Sequence, residues 1–400
     1  MSSPAEGPST GEDLARLEAI DWSFTDAKTT YLTHGLHPYP AKFIPQIPNA
    51  LIQELSSVGE TVADIFCGSG TTLAEALLSK RHAVGVDANP LACLISQAKT
   101  TRLVEGDGDR LRELAMKAES LAERIRPRDQ PLLFEIEPFV STAPRPSSEA
   151  IQFWFEGHVV EELAEILSWC RSLSSDSSRI LALVAFSSII VSVSRQDSDT
   201  RYVRREKNIQ PGDGLRRFAR SLTDTVRAAS EFTELVEDRF TCRVHLANIL
   251  ERPDIGPCDL VVCSPPYPNA YSYHLYHMTR MLWLGMDQPR FKQVEIGSHR
   301  KYSRKGPNGT GVETFLSEMT HTFERLRDHL RRNRHACFVI GDSILGGKKI
   351  DNASLIATAA KRAGFREVKR LHRRLQETRK AFNPAYGKIK TEHLLILRSS

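Results

Sequence analysis

The chain has 400 residues, of which 40% are apolar, 8% aromatic and 26% charged. These values are ordinary for a globular protein and exclude a fibrous, collagen-like or wholly disordered chain. At about 150 residues per domain, the length predicts two lobes or one core that carries a large insert. The longest apolar run, Ile180 to Val193, is interrupted by serines. Because a membrane span needs about 20 predominantly apolar residues, we interpret this shorter run as a buried helix and expect no membrane association.

Seven cysteines occur without a C-x-x-C pair, which argues against a disulfide framework and a zinc cluster and favours a reducing compartment. Residues 1–12 have neither a basic start nor an apolar run, so we expect no secretory signal and a disordered lead-in over residues 1–20. The net charge is +5. Arg195 to Arg220 holds eight Lys or Arg against four acids, and Lys361 to Lys380 holds nine against two. Such clusters fit nucleic-acid binding as well as a solvated helix face.

The predicted elements begin with a proline-spaced segment, residues 36–45, and a helix to about Leu55. Strand, helix, strand and helix then follow at residues 61–66, 71–79, 83–87 and 90–100. This alternation predicts a doubly wound α/β sheet. Residues 103–238 are predicted to be mostly helical, with a proline-rich stretch at residues 127–146. Strands return at residues 243–246 and 259–263, so the α/β core is interrupted by an insert of about 140 residues between its second and third strands.

The C-terminal elements complete this core. An aromatic-rich helix follows Tyr267, and a polar loop over residues 295–310 leads into a long helix that ends near Arg332. Two last strands, at residues 336–340 and 393–397, are predicted to flank a basic helix-and-loop segment.

The first chemistry-bearing motif is the loop Phe66-Cys67-Gly68-Ser69-Gly70, which joins a strand to a helix. Glycines there allow close backbone approach to a ligand. A dinucleotide fingerprint would need glycine where Leu73 stands, and no P-loop lysine follows. A nucleoside-type cofactor without a pyrophosphate remains. Asp87, at the end of the next strand, can accept hydrogen bonds from both ribose hydroxyls. The alternative is a structural tight turn with a surface aspartate.

The second motif is Ser264-Pro265-Pro266-Tyr267, which follows a buried strand. Ligands bind at the carboxyl ends of strands in open α/β sheets. The two prolines stiffen the turn, so the Ser264 hydroxyl and the backbone carbonyls are fixed acceptors beside a stacking ring. This arrangement suits a planar heterocycle with an exocyclic amine. The alternative is a proline-stiffened turn with a core tyrosine.

Four segments occur in one order: residues 37–43 (His-Pro-Tyr-Pro-Ala-Lys-Phe), residues 64–72, residues 85–90 and residues 264–267. Together they resemble the S-adenosylmethionine-dependent amino-DNA methyltransferases, and the Ser-Pro-Pro-Tyr form most resembles the N4-cytosine enzymes. The resemblance covers about the first 100 residues and then residues 244–400. It departs at Asn248, where the family usually has an acidic residue, and at Ile65, where proline is common.

The resemblance implies a Rossmann-like methyltransferase sheet with a mostly helical insert, S-adenosylmethionine as cofactor and double-stranded DNA as substrate. The catalytic residues would be Ser264, Pro265, Pro266 and Tyr267. The cofactor-binding residues would be Tyr39, Pro40, Lys42, Phe43, Asp64, Phe66, Cys67, Gly68, Ser69, Gly70, Thr71, Thr72, Asp87, Ala88, Asn89, Asn248 and Ser264. No metal is expected, because the sulfonium of the cofactor is already a strong electrophile.

The order of the parts resembles the class with target recognition in the middle of the chain. We therefore divide the chain into residues 21–102 (cofactor part), 103–240 (helical insert and candidate target-recognition region) and 241–400 (catalytic part). Residues 194–202 could form a base-contacting loop or simply link two helices. The residues expected to contact DNA are Arg195, Arg201, Tyr202, Arg204, Arg205, Lys207, Arg300, Lys301, Arg304, Lys305, Arg373, Arg374 and Arg379.

The expected reaction is methylation of the N4 amine of a flipped-out cytosine. Adenine N6, an RNA amine and a non-catalytic nucleic-acid-binding protein on a decayed fold are the alternatives. A 5-methylcytosine enzyme is disfavoured because Pro257-Cys258 precedes its strand instead of ending it. From the resemblance we expect a cytoplasmic prokaryotic protein that lies on the nucleoid when bound to DNA. The sequence leaves the oligomeric state open and slightly favours a monomer, and a cognate restriction endonuclease is a candidate partner.

Overall fold

The computed structural model describes residues 10–40, 42–125, 138–268, 272–297, 311–345, 348–374 and 391–399. The helices are α1 (Thr10–Ala19), α2 (Gln46–Leu55), α3 (Thr71–Leu78), α4 (Pro90–Thr100), α5 (Asp107–Ile125), α6 (Glu149–Trp154), α7 (Gly157–Ser172), α8 (Asp176–Ile189), α9 (Asp213–Leu235), α10 (Tyr273–Tyr276), α11 (Met278–Leu284), α12 (Gln288–Val294), α13 (Val312–His329) and α14 (Asn352–Arg362). The strands are β1 (Thr61–Asp64), β2 (His82–Asp87), β3 (Gln196–Ser198), β4 (Arg201–Arg204), β5 (Cys242–Leu246), β6 (Cys258–Cys263), β7 (Leu330–Gly341), β8 (Ser343–Leu345), β9 (Lys348–Ile350), β10 (Phe365–Arg374) and β11 (Thr391–Ser399).

Seven strands form one sheet in the order β10-β11-β7-β6-β1-β2-β5. The five strands from β7 to β5 in this order pair in parallel, and β11 pairs antiparallel with both β7 and β10. The strands on either side of the long insert therefore belong to the same sheet. The predicted Rossmann-like α/β sheet is confirmed.

The central strands are apolar because helices cover both faces of the sheet. Every residue of β6 is buried, and Val62 and Ala63 of β1 are fully buried. One face packs against α13 and α14 through residues such as Phe323 and Ile356. The other packs against α2 and α3 through residues such as Leu51 and Leu73. Continuous apolar runs are typical of parallel strands covered on both faces.

The insert has a core of its own. Helices α5, α7, α8 and α9 bury a common set of apolar side chains, among them Leu111, Leu163, Phe186 and Phe218. By length and composition the segment Asp176–Val193 could cross a membrane, but 61% of it is buried inside the protein. It is the core helix of the insert, as the interrupted apolar run predicts. The insert is mostly helical, in agreement with the prediction.

Three local predictions were wrong. The expected lead-in over residues 1–20 is not disordered throughout, because residues 10–19 form α1 and its fully buried Leu17 packs in the same core as Leu51 of α2. Residues 194–202 are not simply a loop, because β3 and β4 pair as an antiparallel hairpin over residues 196–204. The basic segment after β7 is not only helix and loop, because β10 adds a further strand to the sheet. Strands β4 and β10 are rich in arginine, and β4 is exposed along its whole length while β10 is exposed along part of it. Charged side chains are common on edge strands, where they discourage pairing with other chains, but they erase the apolar alternation that predicts a strand.

Candidate active site

A cleft lies at the carboxyl ends of β1, β2, β5 and β6, where the loops that follow these strands meet. The chain turns to one side of β1 to form β2, while β6 lies on the other side. Such a switch point is where open α/β sheets bind ligands. The cleft holds about 1040 Å³, counting the part open to solvent.

One side of the cleft, the glycine-loop wall, consists of residues 66–69 and 87–89. Asp87 organises it, because its two carboxylate oxygens each accept a backbone N–H, from Gly68 at 2.8 Å and from Asn89 at 2.8 Å. The Asn89 side chain in turn accepts from Leu91 N at 3.0 Å and so caps α4. At Gly70 the backbone is left-handed (φ +74°), and a Cβ would lie 2.8 Å from Ser96. Glycine is therefore required where the loop enters α3.

Two carboxyl groups of this region have raised pKa values. Burial raises the pKa of Asp87 to about 6, although the N–H groups of Asn89 and Gly68 oppose the shift. Glu295, across the cleft, adds to it. Burial also raises the pKa of Asp64 to about 7, opposed by the hydrogen bond from the Phe66 N–H. Both groups line the cleft, so the charge inside it changes between pH 5 and 8.

The opposite side, the tyrosine wall, consists of residues 264–267, Tyr273 and residues 291–297. The Ser-Pro-Pro-Tyr turn leaves β6 at its buried end. Gly297 packs on this turn in a left-handed conformation (φ +81°), and a Cβ there would lie 2.6 Å from the Tyr267 carbonyl oxygen and 2.9 Å from Pro266 Cβ. Glu295 is buried and accepts hydrogen bonds from Tyr273 N at 2.7 Å and from His274 Nδ1 at 2.6 Å.

Tyr39 joins the two walls. Its ring stacks on that of Tyr273, with centroids 5.6 Å apart and planes 20° apart. It also lies beside Gly68, where an added Cβ would be 3.5 Å from the tyrosine ring. The predicted segment around Tyr39 therefore closes one end of the cleft.

A buried polar network supports the glycine-loop wall from behind. The fully buried Lys99 donates to Ser69 Oγ at 3.2 Å, and burial lowers its pKa. Nearby, the Glu75 carboxylate is held by Tyr31, His34 and Asn49 at 2.7, 2.7 and 2.8 Å. A buried carboxylate with three partners is a rigid support for the helix that carries it.

The cleft brings together most of the residues predicted for a cofactor. Its lining includes Tyr39, Lys42, Phe43, Asp64, Phe66, Cys67, Gly68, Ser69, Thr71, Asp87, Ala88, Asn89, Asn248, Ser264, Pro265, Pro266 and Tyr267. Pro40, Gly70 and Thr72 are not in the lining. Thr72 lies behind the wall and donates to the Val262 carbonyl at 3.1 Å, which joins α3 to β6.

Several lining residues were missed from the sequence: Ile65, Ala247, Ile249, Tyr273, Phe291, Val294, Glu295 and Ile296. Those at positions 65, 247 and 249 adjoin predicted residues and could have been found as neighbours. Tyr273 had one signal, an aromatic shortly after Tyr267. The residues at 291–296 had none, because only tertiary packing brings α12 and the turn after it against the cleft.

The residues predicted to contact DNA have different environments. On the hairpin, Arg201 and Arg205 pair with Asp197 at 3.5 and 3.3 Å, while Arg195 and Arg204 pair with Glu206 at 3.1 and 2.9 Å. Tyr202 is exposed, Lys207 donates to the Val191 carbonyl at 2.7 Å, and Arg374 is exposed at the end of β10. Arg300, Lys301, Arg304, Lys305 and Arg379 lie outside the described residues.

Arg373 was expected to contact DNA from the protein surface, but its side chain does not face solvent. It is buried, its Nε donates to the Trp22 carbonyl at 2.8 Å, and its Nη1 pairs with Glu392 at 2.7 Å. A guanidinium fixed in this way ties the sheet edge to the N-terminal segment. We therefore leave Arg373 out of the surface proposed for DNA. Within the described ranges, no group of three or more His, Cys, Asp or Glu side chains is arranged to hold a metal ion.

Comparison with known proteins finds matches to part of the chain. Residues 12–98 match the family model described as DNA methylase. The chain is 35% identical over 85 residues to the type II methyltransferase M.MjaII of Methanocaldococcus jannaschii, covering 20% of this chain and 16% of that protein. It is 30% identical over 174 residues to the type II methyltransferase M.MvaI of Kocuria varians, covering 43% of this chain and 36% of that protein. The chain thus spans well under two thirds of the curated relatives it matches.

Among solved structures, an rRNA methyltransferase, aviRa from Streptomyces viridochromogenes, is 12% identical with a TM-score of 0.33, covering 91% of this chain and 88% of that one. At that score the overlap adds nothing to the strand order described above. The matched region, residues 12–98, contains the glycine-loop wall and Tyr39. The resemblance to the amino-DNA methyltransferases that the motifs predict is therefore confirmed, with residues 12–98 matching the DNA methylase family.

Proposed function

We propose that this protein is a DNA methyltransferase that transfers a methyl group from S-adenosylmethionine to the exocyclic N4 amine of cytosine. One observation carries the proposal: the Ser-Pro-Pro-Tyr turn and the Asp87 loop line the same cleft at the switch point of the sheet. An acceptor-rich turn for a planar amine thus lies across from a loop suited to a nucleoside. The name type II methyltransferase borne by both curated relatives supports the same reaction class.

The glycine-loop wall fits the cofactor. Each Asp87 oxygen accepts one backbone N–H, and a carboxylate offers about four acceptor positions, so two remain for the ribose hydroxyls. Asn248 lines the cleft after β5, where its side-chain carbonyl can accept from the adenine amine. Apolar side chains of Ile249, Phe291 and Val294 also line it and suit an aromatic base. When bound, S-adenosylmethionine supplies an electrophilic methyl group on a sulfonium.

The tyrosine wall would hold the target base. The amine of a paired cytosine is inaccessible, so the base must leave the duplex. Tyr267 stacks on its ring, while Ser264 Oγ and the Pro265 carbonyl accept the two amine hydrogens. These contacts draw the nitrogen lone pair out of the π system of the ring and aim it into the cleft. Once the methyl carbon has moved from sulfur to this nitrogen, leaving a neutral thioether on the cofactor, Ser264 would pass the surplus amine proton to water. Direct transfer of this kind needs no covalent link to the enzyme.

The DNA duplex would contact the insert, chiefly through the hairpin formed by β3 and β4. All four residues of β4 are exposed, and three hairpin arginines project from it or next to it: Arg201, Arg204 and Arg205. A two-stranded ribbon fits the major groove. In the complex, DNA phosphates would replace Asp197 and Glu206 as the partners of these arginines. Because such contacts release counterions from DNA, the affinity for DNA should fall steeply as the salt concentration rises. On this proposal residues 103–240 form the target-recognition region, and residues 21–102 and 241–400 form the catalytic core.

The test is product analysis. The protein is incubated with S-adenosylmethionine and duplex DNA, the DNA is digested to nucleosides, and methylated species are identified by mass spectrometry. N4-methylcytosine is the expected product. N6-methyladenine would replace the proposed acceptor with adenine, and 5-methylcytosine would overturn the mechanism. Cofactor binding by calorimetry without methylation of DNA or RNA would indicate a nucleic-acid-binding protein on a decayed fold.

A further inference from the structure

The hairpin formed by β3 and β4 stands on a buried anchor. Gln196, at its base, is fully buried. Its side-chain oxygen accepts from Thr279 Oγ1 at 2.9 Å, and its side-chain nitrogen donates to the Tyr276 carbonyl at 3.2 Å. Thr279 lies in α11 and Tyr276 ends α10, so both partners are outside the insert. The exposed strand β4 is therefore positioned by contacts with the segment that follows the Ser-Pro-Pro-Tyr turn.

Arg280 of α11 provides the charged part of this anchor. Its side chain is fully buried, its Nε donates to the Ser187 carbonyl at 2.9 Å, and its Nη2 pairs with Asp199. Asp199 lies between β3 and β4, at the turn of the hairpin. In the part of the chain that the structure describes, Nη1 of Arg280 has no hydrogen-bond partner. A buried guanidinium needs a counter-charge, and here the hairpin turn supplies it.

The same stretch of chain reaches the cleft. His277, one turn before Arg280, is fully buried, and its ring centroid lies 5.1 Å from that of Tyr39 and 6.0 Å from that of Tyr273. Both tyrosines line the cleft. Burial, together with Arg280, lowers the pKa of His277 well below its usual value. The imidazole is therefore neutral and serves as a third ring in the stack. Arg280 is thus attached to the hairpin turn on one side and adjoins the cleft wall on the other.

We propose that Arg280 is a positioning residue that fixes the hairpin relative to the cleft through its pair with Asp199. The hairpin would then present its arginines and Tyr202 to the duplex at a set distance from the base-holding turn, and this distance would contribute to the choice of target sequence. Only the contribution to the choice of target sequence rests on the proposed function. That Arg280 holds the hairpin in place is a statement about the protein alone.

The first test needs no DNA. Asp199→Asn keeps the size of the side chain and leaves Arg280 buried without its counter-charge, at a turn that is itself partly exposed. Hydrogen exchange of the intact protein should become about tenfold faster or more at the hairpin amides. One of these is Arg205 N, which donates to the Arg195 carbonyl at 2.7 Å. The matched control is Asp197→Asn, in the same hairpin, where the lost ion pairs with Arg201 and Arg205 lie at the surface. Exchange in the control should stay within about twofold of wild type.

The second test uses the target sequence, found by single-molecule sequencing of DNA from cells that express the protein. Asp199→Asn should reduce the preference for target over non-target duplex by about tenfold, because the hairpin is no longer fixed. Its calorimetric affinity for S-adenosylmethionine should stay within about twofold of wild type. Arg280→Lys keeps a cation facing Asp199 and should fall between wild type and Asp199→Asn. Asp197→Asn frees two arginines and should strengthen binding to all duplexes without changing the preference.

Unchanged hairpin exchange in Asp199→Asn would overturn the proposal, and so would equal acceleration in both variants. Faster exchange with an unchanged preference would overturn the role in target choice. If the wild-type protein methylates no DNA, the proposed function and that role fall together, whereas the exchange experiment still decides whether Arg280 holds the hairpin.

Discussion

The two walls of the cleft are built in different ways. The glycine-loop wall depends on hydrogen bonds between loops that follow neighbouring strands, such as the bond from Gly68 N to Asp87. The tyrosine wall is assembled from a turn after β6, a short helix and the end of α12. Gly297 packs on this turn across three intervening helices. The first wall is a local motif, whereas the second is a product of packing. Changes in each wall should therefore affect different steps.

The largest effect is expected for Ser264→Ala in the tyrosine wall. Loss of a positioned acceptor should lower the rate of methyl transfer about 10²-fold or more, because the amine hydrogens are no longer held. Cofactor affinity should hardly change, since the ribose contacts lie in the other wall. Single-turnover kinetics measures the first quantity and calorimetry the second. A variant that loses cofactor affinity but keeps its transfer rate would show that Ser264 belongs to the cofactor wall.

Asp87→Ala in the glycine-loop wall should have the opposite profile. It removes the acceptors of both ribose hydroxyls and should cost about 2–3 kcal/mol, or roughly 30- to 150-fold in S-adenosylmethionine affinity by calorimetry. The control is Asp254→Ala, since Asp254 also accepts a backbone N–H, from Gly256 at 3.0 Å, but in an exposed turn outside the cleft. That variant should bind the cofactor normally. Equal affinity in the Asp87 variant and wild type would refute the role of Asp87.

Gly297→Ala tests whether packing holds the tyrosine wall in place. A Cβ would collide with the Ser-Pro-Pro-Tyr turn, so the turn must shift, and transfer should slow by about tenfold or more, with cofactor affinity kept within about twofold. Gly59→Ala is the matched control, because Gly59 has the same left-handed backbone (φ +85°) and nothing lies within 4 Å of an added Cβ. Gly59→Ala therefore introduces the same backbone strain, but its new Cβ collides with no other atom. If both variants slow transfer equally, strain and not contact with the turn is responsible.

The pH dependence of cofactor binding should be the smallest of these effects. The pKa of Asp87 is raised to about 6, and hydroxyl donors favour its ionised form. Affinity should therefore be full above pH 7 and fall as the carboxyl is protonated below pH 6, by about tenfold at pH 5. Calorimetry across this range measures the change. In Asp87→Asn the decline below pH 6 should disappear, and its persistence would assign the titration to another group, with Asp64 the first to examine.

The sequence predicted the features that depend on local motifs and missed those that depend on packing. The alternation of strands and helices, the interrupted sheet and the loops after β1 and β2 were all correct, because a Gly-x-Gly loop and a strand-terminal aspartate have short-range geometric requirements. The hairpin at residues 196–204 was missed because its exposed arginines leave no apolar alternation. Arg373 was predicted at the surface, since charge in a sequence does not reveal that Glu392, on the neighbouring strand of the sheet, will pair with it.

The sequence by itself determined the fold class, the Asp87 loop and the Ser-Pro-Pro-Tyr turn, because backbone conformation and strand burial are set by residues close together in the chain. Only the tertiary structure decided that α12 and residues 295–297 complete the cleft, and that Arg280 reaches Asp199 in the distant hairpin. The physical reason is that a buried charge or a left-handed glycine packed against a distant turn is stabilised by its neighbours in space. Those neighbours leave no periodic pattern in the sequence.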